Sequence, residues 1–318
     1  MRRLSPVALL AFTLLMAASA WGQAPSWLAS WPTPRATGIA FDAAGSIYVS
    51  QFANHHIDVR APDGSLLTQW GSDGPDAWSV TGPGHLAIDR DDHLFVAEWT
   101  THSMSQSGVQ EFSTGGAYLG SIGFHSPGAS SDPGALFEPS GIAIGSDGRV
   151  FVTDVGLLRT QVFSNDRAWL YEWPSRGNSI ALDGAGHAFE VEEAGVVRKY
   201  DASSGAELAH WGSQGSGPGQ FIAPEGIAVD AHGDVYVTDT YNHRVQVFTN
   251  DGDFLREWGG YGNGPGQFYR PMGIGVAADG KVYVADTWNG RVQVFESLTT
   301  PTHATSWGRL KTRFREGH

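Results

Sequence analysis

The 318-residue chain has no cysteine, and charged residues make up only 17% of it. Without thiols there is no disulfide framework, no cysteine nucleophile and no lipid-bearing cysteine, so an apolar core must supply the stability. No Gly-x-Ser-x-Gly elbow occurs, and glycine-rich stretches such as Gly212 to Gly219 lack the lysine and following helix of a phosphate loop. Basic residues are scarce, 20 against 33 acidic, for a net charge of -13. Such a surface repels phosphate backbones and anionic lipid, so no nucleic-acid partner is expected. Long apolar runs are missing too. The run from Val7 to Ala18 is too short to span a bilayer; with Arg2 and Arg3 before it and Ala18-Ser19-Ala20 after it, it reads as a secretory signal. Residues 1–24 are therefore expected to be a signal peptide, cut after Ala20 or Ala24. The mature chain is expected to be secreted or periplasmic, monomeric and without a membrane anchor. Removing Arg2 and Arg3 leaves 18 basic residues and a charge of -15.

Glycine is abundant, at 42 residues, and so is tryptophan, at 12. Both belong to a unit that recurs six times. Its opening apolar residue falls at Ile39, Leu86, Ile142, Ile180, Ile227 and Ile274, at spacings of 47, 56, 38, 47 and 47 residues. That is the length of a four-stranded propeller blade. Each opening strand is followed by a polar turn, as from Asp42 to Gly45 or Asp230 to Gly233, suited to a hairpin. A second strand alternates valines with larger residues, as in Val235-Tyr-Val-Thr-Asp239. A third has the form Arg244-Val-Gln-Val-Phe248. The fourth ends on an aromatic or apolar residue before glycine or proline: Trp70, Ile122, Trp173, Trp211, Trp258 and Trp307. One blade cannot bury both its faces, but six around an axis cover one another. The expected fold is all-β: a six-bladed β-propeller over residues 25–308, with four antiparallel strands per blade and closure by exchange of a terminal strand. Residues 309–318 form a basic tail. Closure has two candidates, because Trp31-Pro32 carries the same fourth-strand signature as Ser306-Trp307-Gly308.

The pattern Pro-x-Gly-Ile-Ala-Val-Asp, then Val-Tyr-Val-x-Asp-Thr-x-Asn-x-Arg-Val-Gln-Val-Phe, resembles the NHL repeat of six-bladed propellers. Its linkers Gly217-Pro-Gly-Gln-Phe221 and Gly264-Pro-Gly-Gln-Phe268 resemble that family's too. Blades five and six match most fully, blade three well, and blades one, two and four keep the strand pattern with parts of the motif lost. More distantly the chain is similar to peptidyl-hydroxyglycine amidating lyases and to gluconolactonase-like propellers. The lyase resemblance implies zinc-binding histidines two residues before the opening apolar residue. Those positions hold Thr37, Gly84, Ser140, Asn178, Glu225 and Met272, and the nearest histidine, His85, is one place out of register. The Glu-Gly-Pro motif and ligand set of the lactonase-like propellers are not seen.

Loops from strand four to strand one and from strand two to strand three share one face around the channel. Five of the six histidines between residues 55 and 125 map there: His55, His56, His85, His102 and His125; His93 maps to the opposite face. With Glu98, the set His55, His85, His102 and His125 has the chemistry to hold zinc or a similar borderline ion. No cofactor is demanded by the sequence; zinc there, or calcium on channel carbonyls, are the two ions considered. The acid closing strand two, present as Asp154, Asp239 and Asp286 and replaced by Gln51, Glu98 and Val191, is expected to pair structurally with Arg159, Arg244 and Arg291. The loop face also collects Trp99, Tyr241, Tyr261, Tyr269, Arg270 and Trp288, with Glu225 at the rim. Rings on a rigid face suit a protein, peptide or glycan ligand. Two functions stay open: a binding or scaffolding module using Trp99, Glu225, Tyr241, Tyr269, Arg270 and Trp288, or a metal-dependent lyase or hydrolase using the histidines.

Overall fold

The computed structural model describes residues 24–74, 79–98, 108–125 and 130–297. All but the last residue of the expected signal peptide, the expected Trp307 strand, the basic tail, Trp99 and His102 lie outside these residues. Six four-stranded antiparallel sheets surround a central axis, and in the first five the strands follow chain order. Blade one runs Ala36–Phe41, Ile47–Gln51, His56–Arg60 and Leu66–Trp70; blade two Pro83–Ile88, His93–Glu98, Val109–Ser113 and Tyr118–Ile122. Blades three, four and five begin at Pro139, Gly177 and Ile227 and end at Pro174, Trp211 and Gly259. Blade six takes Ile274–Val276, Val282–Asp286 and Arg291–Phe295 from the C-terminal side and its outer strand, Trp27–Pro32, from the N-terminal side. Trp31 pairs with Val292 and is nearly buried, which settles the closure in favour of the N-terminal strand.

The alternating valines explain the layering. In blades one, three, five and six every residue of the second strand is buried. Side chains on its two faces enter two different interblade cores, because successive side chains point to opposite faces. Six apolar clusters result, one between each pair of adjacent blades. The tryptophans act as latches at the outer ends of these layers. Trp31 covers Gly64 of blade one, whose φ of +88° and contact with the indole leave no room for a Cβ. Nearer the axis, blades approach through backbone: a Cβ on Gly226 would meet the Met272 carbonyl of the next blade.

The acids closing strand two are structural. Asp239 and Asp286 are fully buried. Arg244 Nε donates to Asp239 at 2.8 Å and Arg291 Nε to Asp286 at 2.7 Å, while each arginine also reaches two carbonyls of the preceding linker. Blade three departs from the expected pairing. Asp154 accepts the backbone N–H groups of Phe137, Glu138 and Leu157, and Arg159 turns to Glu172 at 2.8 Å and to linker carbonyls. In blade four the acid is Glu192, not the Val191 position, and it takes Arg198 at 2.6 Å. Blade one moves the acid one strand outward: Gln51 donates to Asp58, which Arg60 neutralises at 2.9 Å.

Candidate functional site

The channel opens on the loop face into a cavity of about 530 Å3. Its wall is built from the two loop sets in register. All six rim positions, Thr37, Gly84, Ser140, Asn178, Glu225 and Met272, line it. The residues just after the strand-two acid join them as Phe52, Val155, Glu193, Thr240 and Thr287, followed by Tyr241 and Trp288.

Tyr241 and Trp288 stand on single 3-10 turns, Thr240–Asn242 and Thr287–Asn289, each closed by a left-handed residue, His243 at φ +59° and Gly290 at φ +66°. The turns are bolted to the next blade: Thr240 Oγ1 donates to the Pro271 carbonyl at 2.8 Å and Thr287 Oγ1 to that of Ala36 at 2.7 Å. Two arginines close on these rings. Arg270 Cζ lies 4.4 Å from the Tyr241 ring centroid and 4.8 Å from that of Trp288, and Arg35 Cζ lies 4.2 Å from Trp288. Arg270 is anchored through its own N–H, which donates to His243 Nδ1 at 3.1 Å. Burial and the Arg270 charge push the His243 pKa down, so the ring accepts as a neutral imidazole. Tyr269 is not on the cavity wall; it supports Trp288 from 5.6 Å and meets Tyr261 edge-on at 5.3 Å. Among the described residues no carboxylate forms an ion pair with Arg35 or Arg270. The blade four and blade five part of the wall carries two acids, Glu193 and Glu225. Burial, then the charge of Glu193, raises the Glu225 pKa to about 7.

The histidine set separates. His55 Nδ1 accepts the Gly82 N–H at 3.0 Å, the job His243 does for Arg270, so it holds a loop. His85 lines the cavity, with Nδ1 on the Ser140 carbonyl at 2.9 Å and Nε2 buried without a partner; burial lowers its pKa, against the Ser140 bond. Glu98 is buried behind the wall, accepting the Thr81 N–H at 3.1 Å, and desolvation raises its pKa to about 8. His125 contributes backbone to a two-residue pairing with Leu136. Thus His55, His85 and Glu98 do not form a three-ligand cluster among the described residues; Asp89, His93 and Glu111, on the opposite face, do. That group already holds a cation. Arg167 of blade three grips Glu111 through Nε at 2.9 Å and a terminal nitrogen at 2.6 Å and reaches Asp89 at 3.5 Å. Burial alone would raise the Glu111 pKa, but Arg167 and His93 hold it below the usual range. Arg167→Leu is expected to lower stability by about 2–3 kcal/mol, less than for a fully buried pair because the guanidinium keeps some contact with water. Urea unfolding of the variant checks this, and an unchanged midpoint would refute the clamp.

Arg35, Phe52 and Glu193 are cavity residues that none of the sequence motifs marks. Arg35 was findable: it stands four residues before Ile39, as Arg270 stands four before Ile274.

The sequence pattern described as "NHL repeat" matches residues 221–248 and 268–295, the bodies of blades five and six. A stretch of 42 residues is 50% identical to the B-box type zinc finger protein ncl-1 of Caenorhabditis elegans, covering 13% of this chain and only 5% of that protein's length. Among solved structures, virginiamycin B lyase from Staphylococcus aureus is similar at a TM-score of 0.53 and 15% identity, over 86% of this chain and 89% of that one. A gluconolactonase from Xanthomonas campestris is similar at 0.60 and 14%, over 83% and 86%. At these identities the solved structures speak for the fold alone. The chain is thus a six-bladed β-propeller in which blades five and six match the NHL repeat.

Proposed function

We propose that the chain is an exported binding module whose cavity and aromatic rim take a peptide segment. The observation that carries this reading is the unit Tyr241, Arg270, Trp288 and Arg35 at the cavity wall, with Tyr241 48% and Trp288 43% exposed. Rings and guanidiniums held against one another lose little side-chain freedom on binding, which is why tryptophan, tyrosine and arginine concentrate binding energy. The wall adds apolar surface from Phe52, Val155 and Met272 beside its polar groups, and its volume suits a ligand of a few residues. The test is a synthetic library of short peptides, half with free and half with capped ends, screened by fluorescence against the full chain. Hits are expected whose affinity falls at least tenfold in Tyr241→Ala plus Trp288→Ala, with the melting temperature unchanged. Hits indifferent to that pair, or no hits, would overturn the reading.

A second reading, a metal-dependent lyase or hydrolase, draws on one observation. With Nδ1–H donated to Ser140, His85, a residue of the cavity wall, keeps a buried Nε2 lone pair without a partner among the described residues, a group that suits a base or a metal ligand. Elemental mass spectrometry of chelator-free protein decides: stoichiometric zinc lost in His85→Ala supports this reading, and metal-free protein after zinc supplementation removes it.

A further inference from the structure

The cavity is polarised. Its blade six and blade one side carries Arg270 and Arg35, and its blade four and blade five side carries Glu193 and Glu225. We propose that its ligand is a zwitterion, a short linear peptide with both ends free, whose carboxylate sits on Arg35 and Arg270 and whose ammonium faces Glu225 and Glu193. This rests on the peptide-binding reading above and specifies the ligand class.

The arginine side is incomplete as it stands. Two positive charges are held against the single ring of Trp288, with no carboxylate paired to either among the described residues. Five arginines away from the cavity, Arg60, Arg159, Arg167, Arg244 and Arg291, each meet an acid within 2.9 Å. Nor does the backbone demand arginine. Arg35 and Arg270 occupy a left-handed position, φ +53° and +48°, whose counterparts are Gly82 in blade two and Ala223 in blade five. Among these four left-handed positions the guanidiniums stand at the two that border Trp288; Arg176, four residues before Ile180 in blade four, is neither left-handed nor on the cavity wall. A planar guanidinium presents paired donors that match a carboxylate, and packing on the ring fixes its plane.

The acidic side is incomplete in the complementary sense. No donor to the Glu225 carboxyl is found among the described residues, in contrast to Glu190, another desolvated glutamate, which accepts from Thr160, Trp173 and Ser175. An ammonium would supply both the missing donors and the charge that Glu225 and Glu193 lack. The remaining titratable groups on the wall are His85, held neutral by burial, and Tyr241. Since desolvation, then Glu193, keeps Glu225 partly protonated near pH 7, binding of the peptide ammonium should strengthen as pH rises from 5.5 to 7, below the roughly 7.7–8.0 at which a free α-amine loses its proton.

The experiment uses one free-ended tetrapeptide hit from the library in four forms: free, N-acetylated, C-amidated and doubly capped. Calorimetry on the full chain is expected to show at least a tenfold loss on C-amidation and again on N-acetylation. Arg270→Gln should cost the free peptide tenfold and cost the amidated peptide little more, and Glu225→Gln should abolish the rise in affinity between pH 5.5 and 7. If capped forms bind as well as the free one, the zwitterion proposal falls while peptide binding stands; if no library member binds, both fall.

Discussion

Asp286→Asn is expected to lower the melting temperature by about 6–15 °C, corresponding to a loss of about 3–5 kcal/mol for breaking one side of a buried ion pair in a domain of this size. The carboxylate is fully buried and is the acceptor for the Tyr269 N–H at 2.8 Å, Asn289 Nδ2 at 2.9 and 3.0 Å, Arg291 Nε at 2.7 Å and Gln293 Nε2 at 3.0 Å. An asparagine keeps one acceptor oxygen and turns an NH2 group toward those donors, leaving the Arg291 charge without its counterion. The double change Asp286→Asn with Arg291→Met should therefore cost less than the sum of the single changes, because it removes the stranded charge. Blade three supplies the contrast. Asp154 receives backbone N–H groups but no guanidinium, so Asp154→Asn should shift melting less than Asp286→Asn. Scanning calorimetry of the four variants, Arg291→Met alone included, checks the order. An Asp286→Asn protein melting within 2 °C of the parent would show that the repeated acid does not hold the blades together.

Thermal stability is expected to peak near pH 5 and to fall toward pH 8. Three glutamates have raised pKa values, each through desolvation first: Glu98 to about 8, Glu190 to about 7 and Glu225 to about 7. A folded-state pKa above that of the unfolded chain means the folded state holds more protons in between. The stabilisation is then full below the unfolded value and lost as pH rises through 7 to 8, at up to about 1.4 kcal/mol per pH unit and group. Acids with lowered values, such as Glu111 and Asp183, act in the opposite sense: their contribution is present above the unfolded carboxylate pKa and lost as pH falls through the folded one. The two trends meet on the mildly acidic side. Glu190→Gln is the informative variant, since Thr160 at 2.6 Å and Trp173 at 3.1 Å both donate to one oxygen, and the Ser175 hydroxyl can accept from a new amide at the other. It should flatten the slope and melt higher than the parent at pH 8. Stability that is level or rising from pH 5 to 8 would contradict the assignment.

Most of the architecture was legible because a blade is a local pattern repeated. The apolar residue opening each unit, the valine alternation and the terminal tryptophan set register within about 47 residues. Closure was not legible, since Trp31 and Trp307 carry the same local signature and only pairing across the whole chain separates them. The misplaced acid of blade four has a similar origin: in Glu190-Val-Glu192 acids flank the valine, and period-two alternation does not say which one closes the strand. The rim positions could be read from their spacing to the opening residue. Whether a loop histidine faces the channel or its own backbone could not, and His55 and His85, both on the loop face, took different roles. The pairing of Arg35 with Trp288 joins the two ends of the chain, beyond the reach of any motif.

The strand contributed by Trp27–Pro32 also sets an order on synthesis. It is the first described strand to be made, yet its partner, Arg291–Phe295, is among the last. Blades one to five can stack as they emerge, but the ring locks only when nearly the whole chain is present, a pairing of high sequence separation and hence slow to form. Until then the nascent chain carries an unpaired strand bearing Trp31 at one end and an unfinished sheet at the other, two edges complementary to each other and therefore to those of a neighbouring chain. A chain interrupted late in its synthesis would join a second copy by the same zipper that closes the complete one.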